Sequence, residues 1–125
     1  MADGYVTGYV REFGQVLHTD SAATVVVSLT LPSAVDGVWH LLGRCVSSNA
    51  SGSTDAIFNA RATVNDGTAS IGTVYSNLTG GGAPGPDAYL TVSGADVQIT
   101  VESANTYRSV GMIEAFGVEM DIVAI

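Results

Sequence analysis

The sequence predicts an all-β protein, an antiparallel β-sandwich of jelly-roll-like form with about eight strands. Three observations predict it. Apolar and polar residues alternate with period two in stretch after stretch. Turn-forming clusters interrupt these stretches at short spacing. No stretch repeats its apolar residues with a helical period.

The expected strands lie near 5–17, 22–31, 38–47, 55–64, 69–76, 87–93, 96–102 and 107–122. In the first, Tyr5, Val6, Tyr9, Val10 and Phe13 interleave with Gly4, Gly8 and Gly14. Residues 1–18 therefore read as an N-terminal arm or edge strand, and 19–125 as the sandwich domain. In the second, the odd positions Val25, Val27, Leu29 and Leu31 are all apolar. In the third, Trp39, Leu41, Gly43 and Cys45 share a face, and Trp39 is expected to anchor the core. The same parity turns His40 away from Cys45, which rules against a Cys–His pair. Phe58, Ala60, Ala62 and Val64 define the inner face of the fourth strand. Asn65-Asp66-Gly67 suits positive φ and closes a hairpin.

Between 79 and 87 a glycine- and proline-rich segment is expected to be an exposed loop. A phosphate loop needs a helix start after its glycines and a lysine. This chain has no lysine, and Ala88-Tyr89-Leu90-Thr91-Val92 continues as a strand. Ser93-Gly94-Ala95-Asp96 then reverses the chain into Val97, Ile99 and Val101. In the last strand Glu114 shares parity with Met112, Phe116 and Val118, so strict alternation would bury it. A bulge near Gly111 or Gly117, or a salt bridge from Arg44, Arg61 or Arg108, is the expected remedy.

Composition narrows the function. Hydrophobic residues make up 46% of the 125 residues and charged residues 13%, with a net charge of −8. So little charge points to a surface solvated by Ser, Thr, Asn and Gly or covered by another chain. Four scattered arginines against twelve acids argue against nucleic acid and against anionic membranes. No apolar run has the ~20 residues of a membrane span. Met1-Ala2-Asp3-Gly4 does not begin a signal peptide. Cys45 is the only cysteine, so no internal disulfide can form.

No catalytic arrangement emerges. There is no Gly-x-Ser-x-Gly elbow, and the two histidines are His18 and His40. Zinc lacks ligands, and the turn aspartates Asp36, Asp55, Asp66, Asp87 and Asp96 do not form a calcium loop. Nothing in the residues requires a cofactor. The candidate interface residues are Tyr5, Val6, Tyr9, Val10, Phe13, Tyr89 and Tyr107, because tyrosine joins an apolar body to a polar tip. Exposed tyrosines also leave glycan binding open.

Several stretches together resemble a known group. They are Val38-Trp39-His40-Leu41-Leu42-Gly43-Arg44-Cys45, Ile57-Phe58-Asn59-Ala60-Arg61-Ala62-Thr63-Val64 with Asn65-Asp66-Gly67-Thr68, Ile71-Gly72-Thr73-Val74, Tyr89 through Val101, and Met112 through Glu119. Over about residues 20–122 the chain resembles the small β-sandwich domains of tailed-bacteriophage structural proteins, which serve as tail fibre or spike heads and as capsid decoration proteins. That resemblance implies a non-enzymatic virion protein, made in the host cytoplasm. It implies a homotrimer that contacts the major capsid protein or other virion proteins. It brings no catalytic residues to carry over. A chain that starts at Met1 and is nearly all sandwich leaves no room for a fibre shaft. The leading expectation is therefore a capsid decoration (cement) protein, with a receptor- or carbohydrate-binding spike head as the alternative.

Overall fold

The computed structural model describes residues 7–18, 22–33, 36–50, 52–82, 87–103 and 105–119. Among them nine strands form: β1 Thr7–His18, β2 Thr24–Thr30, β3 Gly37–Asn49, β4 Gly52–Asn65, β5 Thr68–Ile71, β6 Tyr75–Gly82, β7 Asp87–Ser93, β8 Asp96–Glu102 and β9 Tyr107–Glu119. They make two packed antiparallel sheets. The large one runs β1-β9-β3-β4-β5, with β6 also on β4; the small one runs β2-β8-β7. No helix among the described residues is long and apolar enough to cross a membrane.

The sheets bury one core between them. β3 contributes Trp39, Leu41 and Cys45, β4 Phe58, Ala60, Ala62 and Val64, and β8 Val97, Ile99 and Val101. These are the alternate positions that the sequence pattern selects. Burial pushes the Cys45 thiol up, which keeps it protonated and unreactive. Four polar residues, His18, Ser47, Thr100 and Ser109, are buried with their bonds made. Ser47 and Ser109 share a hydrogen bond of 2.7 Å. His18 lies with Nδ1 3.2 Å from the Thr24 hydroxyl and Nε2 2.8 Å from the Ser103 carbonyl.

Two rows of small residues shape the inner face of the large sheet. Gly8 opposes Gly117, which opposes Trp39. A Cβ on Gly8 would stand 2.9 Å from Trp39 Cη2, and one on Gly117 2.9 Å from Trp39 Cδ2. The indole thus lies across the space that those side chains would fill. Further along, Gly14 opposes Gly111. There β2 comes close, and a Cβ on Gly14 would sit 2.1 Å from the Val26 carbonyl oxygen.

β2 is bulged. Val25 pairs with Thr100 and Val27 with Ile99, so Val26 is the extra residue. The bulge buries Val26 and Val27 side by side and leaves Val25 exposed. Simple alternation across Val25, Val27, Leu29 and Leu31 therefore fails at its first member.

Both hairpins form where the turn residues predict them. Asp66 (φ 53°) and Gly67 (φ 77°) carry the chain from β4 to β5, and Gly94 (φ 61°) carries it from β7 to β8. The Ala69 N–H donates to the Gly94 carbonyl at 2.8 Å and joins the hairpins across the sheets.

Three expectations need correction. The stretch 69–76 is two strands, β5 and β6, joined through Gly72–Val74. The glycine run is not loop: β6 continues through Gly82, and Gly80, Gly81 and Gly82 pair with Thr54, Ser53 and Gly52. Glu114 is not inward. Gly111, Ile113 and Ala115 face the core, and Met112, Glu114, Phe116 and Val118 stand on the outer side. At Gly111 and Gly117 the inner face of β9 must be small to clear the β2 bulge and Trp39, so the parity that carries Phe116 and Val118 takes the outer face. The register of β9 runs without a bulge, and Glu114 has no salt bridge among the described residues.

Candidate functional site

The large sheet has an outer face that no part of the described chain covers. Cross-strand register orders it into rows. Tyr9, Phe116, His40 and Arg61 form one; Arg11, Glu114, Leu42, Asn59 and Tyr75 the next. Phe13, Met112, Arg44, Ile57 and Asn77 follow, and then Gln15, Val110, Val46 and Asp55. Many of these side chains are large, apolar and in solvent: Phe13 is 59% exposed, Val110 54% and Phe116 49%. A run of exposed apolar residues over one sheet face is unusual for a free monomer and marks an interaction surface.

The polar groups on this face are mostly engaged with one another. The Tyr9 hydroxyl donates to Glu114 Oε2, and this bond to a carboxylate raises the Tyr9 pKa. Arg44 reaches Asp55 with two donors, Nη2 at 2.7 Å and Nε at 3.3 Å. That contact holds Asp55 below the usual carboxylate range and pushes Arg44 further up. The Arg11 guanidinium lies 5.3 Å from the centre of the Phe13 ring. The His40 ring tilts against Phe116 at 5.1 Å. Beside them is a shallow recess of about 360 Å3 lined by His40, Asn59, Arg61, Thr73 and Tyr75.

All four arginines of the chain, Arg11, Arg44, Arg61 and Arg108, project from this face. Only two described carboxylates, Asp55 and Glu114, share it.

The outer face of the small sheet is different. Thr30 donates to Asp96 at 2.6 Å, and Gln98 to Ser28 at 3.4 Å. The Thr91 and Thr100 hydroxyls are 3.2 Å apart. Tyr89 donates to Glu102 at 2.7 Å, which raises the Tyr89 pKa.

The candidate residues scatter over these surfaces. Tyr9 and Phe13 lie together on the large outer face. Val10 points inward and packs against the core. Tyr89 is on the opposite side of the molecule, half-buried. Tyr107 is a correction: it is fully buried at the start of β9 and offers nothing to a partner's surface. Tyr5 and Val6 lie outside the described residues. Sequence reasoning missed Leu17, Val46, Ile57, Val110, Phe116 and Val118. The signal for two neighbours was present, since placing Trp39 and Phe58 inward sends Arg44 and Arg61 outward together. Among the described residues no group of three or more His, Cys, Asp or Glu side chains could hold a metal.

Fold and face together define a β-sandwich that presents a sheet surface rather than a cleft. No family model matches the chain, and no curated protein matches it. Two solved structures are similar. The tailspike protein of Acinetobacter phage vB_ApiP_P1 is 16% identical, with a TM-score of 0.46, over 86% of this chain and 22% of that one. The tailspike protein of Acinetobacter baumannii phage AM24 is 11% identical, with a TM-score of 0.40, over 96% of this chain and 27% of that one. The chain thus spans about a quarter of those tailspikes, and at these values neither likeness says what it does.

Proposed function

We propose that the chain is a non-enzymatic structural module of a phage virion, a spike or fibre head domain that stands against other virion proteins. The observation that carries this is the large outer face, which keeps apolar side chains in solvent and is studded with arginines. Its two described acids are held by Arg44 and Tyr9 rather than set toward each other across a cleft. The face runs the length of the twelve-residue β1, which suits packing along a long axis. A spike or fibre head accounts for such a face better than a capsid decoration protein does.

An antibody against the chain, applied to purified particles under the electron microscope, should label the tail. Label over the capsid shell would favour decoration instead, and particles lacking the chain would refute both. The purified chain should turn over no glycan, ester or peptide substrate. Turnover lost on replacing a single Asp or Glu would overturn the non-enzymatic reading.

A second reading rests on the recess. Tyr75, 71% exposed, offers a ring for the apolar side of a sugar, with Asn59 and Arg61 beside it. A glycan-array signal that is abolished by Tyr75→Ala would favour this carbohydrate-binding role.

A further inference from the structure

We propose that the free edge of β1 takes up an extended strand from a different protein, one that sets an acid beside Arg11 and a base beside Glu12. This rests on the structural-module reading above and names the kind of partner that the module meets.

The first argument is the edge itself. Among the described residues β1 pairs with β9 on one side, and no strand, turn or loop bonds to its other side. About six of its twelve residues therefore turn an N–H and a C=O outward with no strand to meet them. Folded proteins blunt such edges with short strands, bulges, prolines or charges. Elsewhere the edges are shorter or broken: β5 has four residues, β7 has seven, β2 carries the bulge at Val26, and β6 ends in three glycines. β1 instead keeps twelve residues in unbroken register with β9 and holds no proline. Tyr9, Phe13 and Leu17 stand along it, 54%, 59% and 51% exposed. A strand laid beside them would cover their open flank and complete the backbone ladder.

The second argument is charge. Val10 and Val16 pack against the core, so Glu12, of the same parity, lies at the inner rim, where it is exposed. Arg11 lies on the outer face, over the Phe13 ring. Neither has a salt bridge among the described residues. A base and an acid in the middle of the edge, one on each face, demand the reverse pattern from the strand that pairs there. A second β1 does not have it. When two copies pair with their faces matched, Arg11 meets only outer-face residues and Glu12 only inner-face ones, so Arg11 of one copy never meets Glu12 of the other. The partner is therefore another chain. Its segment alternates, with apolar residues on the inner side beside Val10 and Val16, a central Lys or Arg among them, and an adjoining Asp or Glu on the outer side.

The test titrates the whole chain with two synthetic peptides of about ten residues. In the first, Val-Thr repeats flank a central Lys-Glu, so that Lys falls on the valine face and Glu on the threonine face. In the second, that Lys is replaced by Glu. Amide hydrogen exchange, read residue by residue by NMR, follows β1. The first peptide should slow exchange at alternate β1 amides, and the second should bind about tenfold more weakly. Glu12→Lys changes an exposed side chain, so its melting curve should match wild type, and it should reverse the preference. Three results would overturn the proposal. They are β1 amides that neither peptide slows at millimolar concentration, a pair of peptides bound equally by both proteins, and β1 protection that grows with the chain's own concentration in the absence of peptide. The last would give the edge to a second copy. A chain whose antibody labels the tail while β1 takes neither peptide would end strand addition and leave the virion role standing. A β1 that selects the first peptide, in a chain that particles lack, would do the opposite.

Discussion

On one side of the sandwich Phe13, Ile57, Val110 and Phe116 stand in water beside arginines. On the other, Ser28, Thr30, Thr91, Gln98 and Thr100 form hydrogen bonds with one another and with Asp96. Both surfaces are outer faces of antiparallel sheets over a shared core. The core demands only the inward residues of each strand, and the outward ones are free to follow another requirement. The small sheet meets that freedom with groups that water and near neighbours satisfy. The large sheet keeps apolar area in solvent, which nothing in the fold of a lone chain requires. The difference separates residues that make the sandwich from residues that make it useful.

The largest expected effect treats the two faces alike. Trp39→Ala removes the indole that spans Gly8 and Gly117 and should cost about 3–5 kcal/mol. Thermal melting checks it. A Trp39→Ala protein that melts like wild type would mean that the core does not support both sheets.

A smaller change should split the faces. Phe116→Ser and Val25→Ser each remove one exposed apolar side chain, from the large and the small sheet respectively. Each should shift the monomer's stability by no more than about 0.5–1 kcal/mol. Only Phe116→Ser should lower the amount of the chain built into purified particles, as read by immunoblot. Equal effects on incorporation would erase the distinction.

How far the two faces were legible in the sequence follows from particular strands. In β3, β4 and β8 one parity is apolar and buried, so Trp39, Phe58 and Ile99 could be placed from alternation alone. In β9 both parities are apolar. What decides is that Gly111 must clear Val26 and Val27 and Gly117 must clear Trp39, contacts from distant parts of the chain. Alternation alone therefore puts Phe116 and Val118 on the wrong side, and Glu114 with them. The β2 bulge was hidden because Val25, Val26 and Val27 are the same residue, so nothing marks which is extra. The glycine run reads as loop because glycine favours turns, but pairing to Gly52, Ser53 and Thr54 extends it as strand. The arginines are scattered along the sequence, and only the register of β1, β9, β3 and β4 brings them onto one face.

Two smaller effects concern protons. Asp55 is held low by Arg44, so its contribution to stability is present above the ordinary carboxylate pKa and is lost as pH falls through the lowered value. Asp55→Asn should flatten that acid limb slightly in pH-dependent melting, since the pair is largely exposed. At the basic end, Tyr9 and Tyr89 each donate to a glutamate, one on each face, and both should ionise above an ordinary tyrosine. Their small contributions are full below pH 10 and fade as pH rises through the raised values. Ultraviolet titration of Tyr9→Phe and Tyr89→Phe should each remove one late-ionising phenol.

The most direct test of the central claim is hydroxyl-radical footprinting read by mass spectrometry, on the free chain and on the chain in assembled particles. If the large outer face is the interface, oxidation of Phe13 and Phe116 should fall in the particle, while that of Tyr89 on the small sheet stays closer to its free level. Equal protection of both faces, or protection of Tyr89 with Phe13 and Phe116 unchanged, would contradict it.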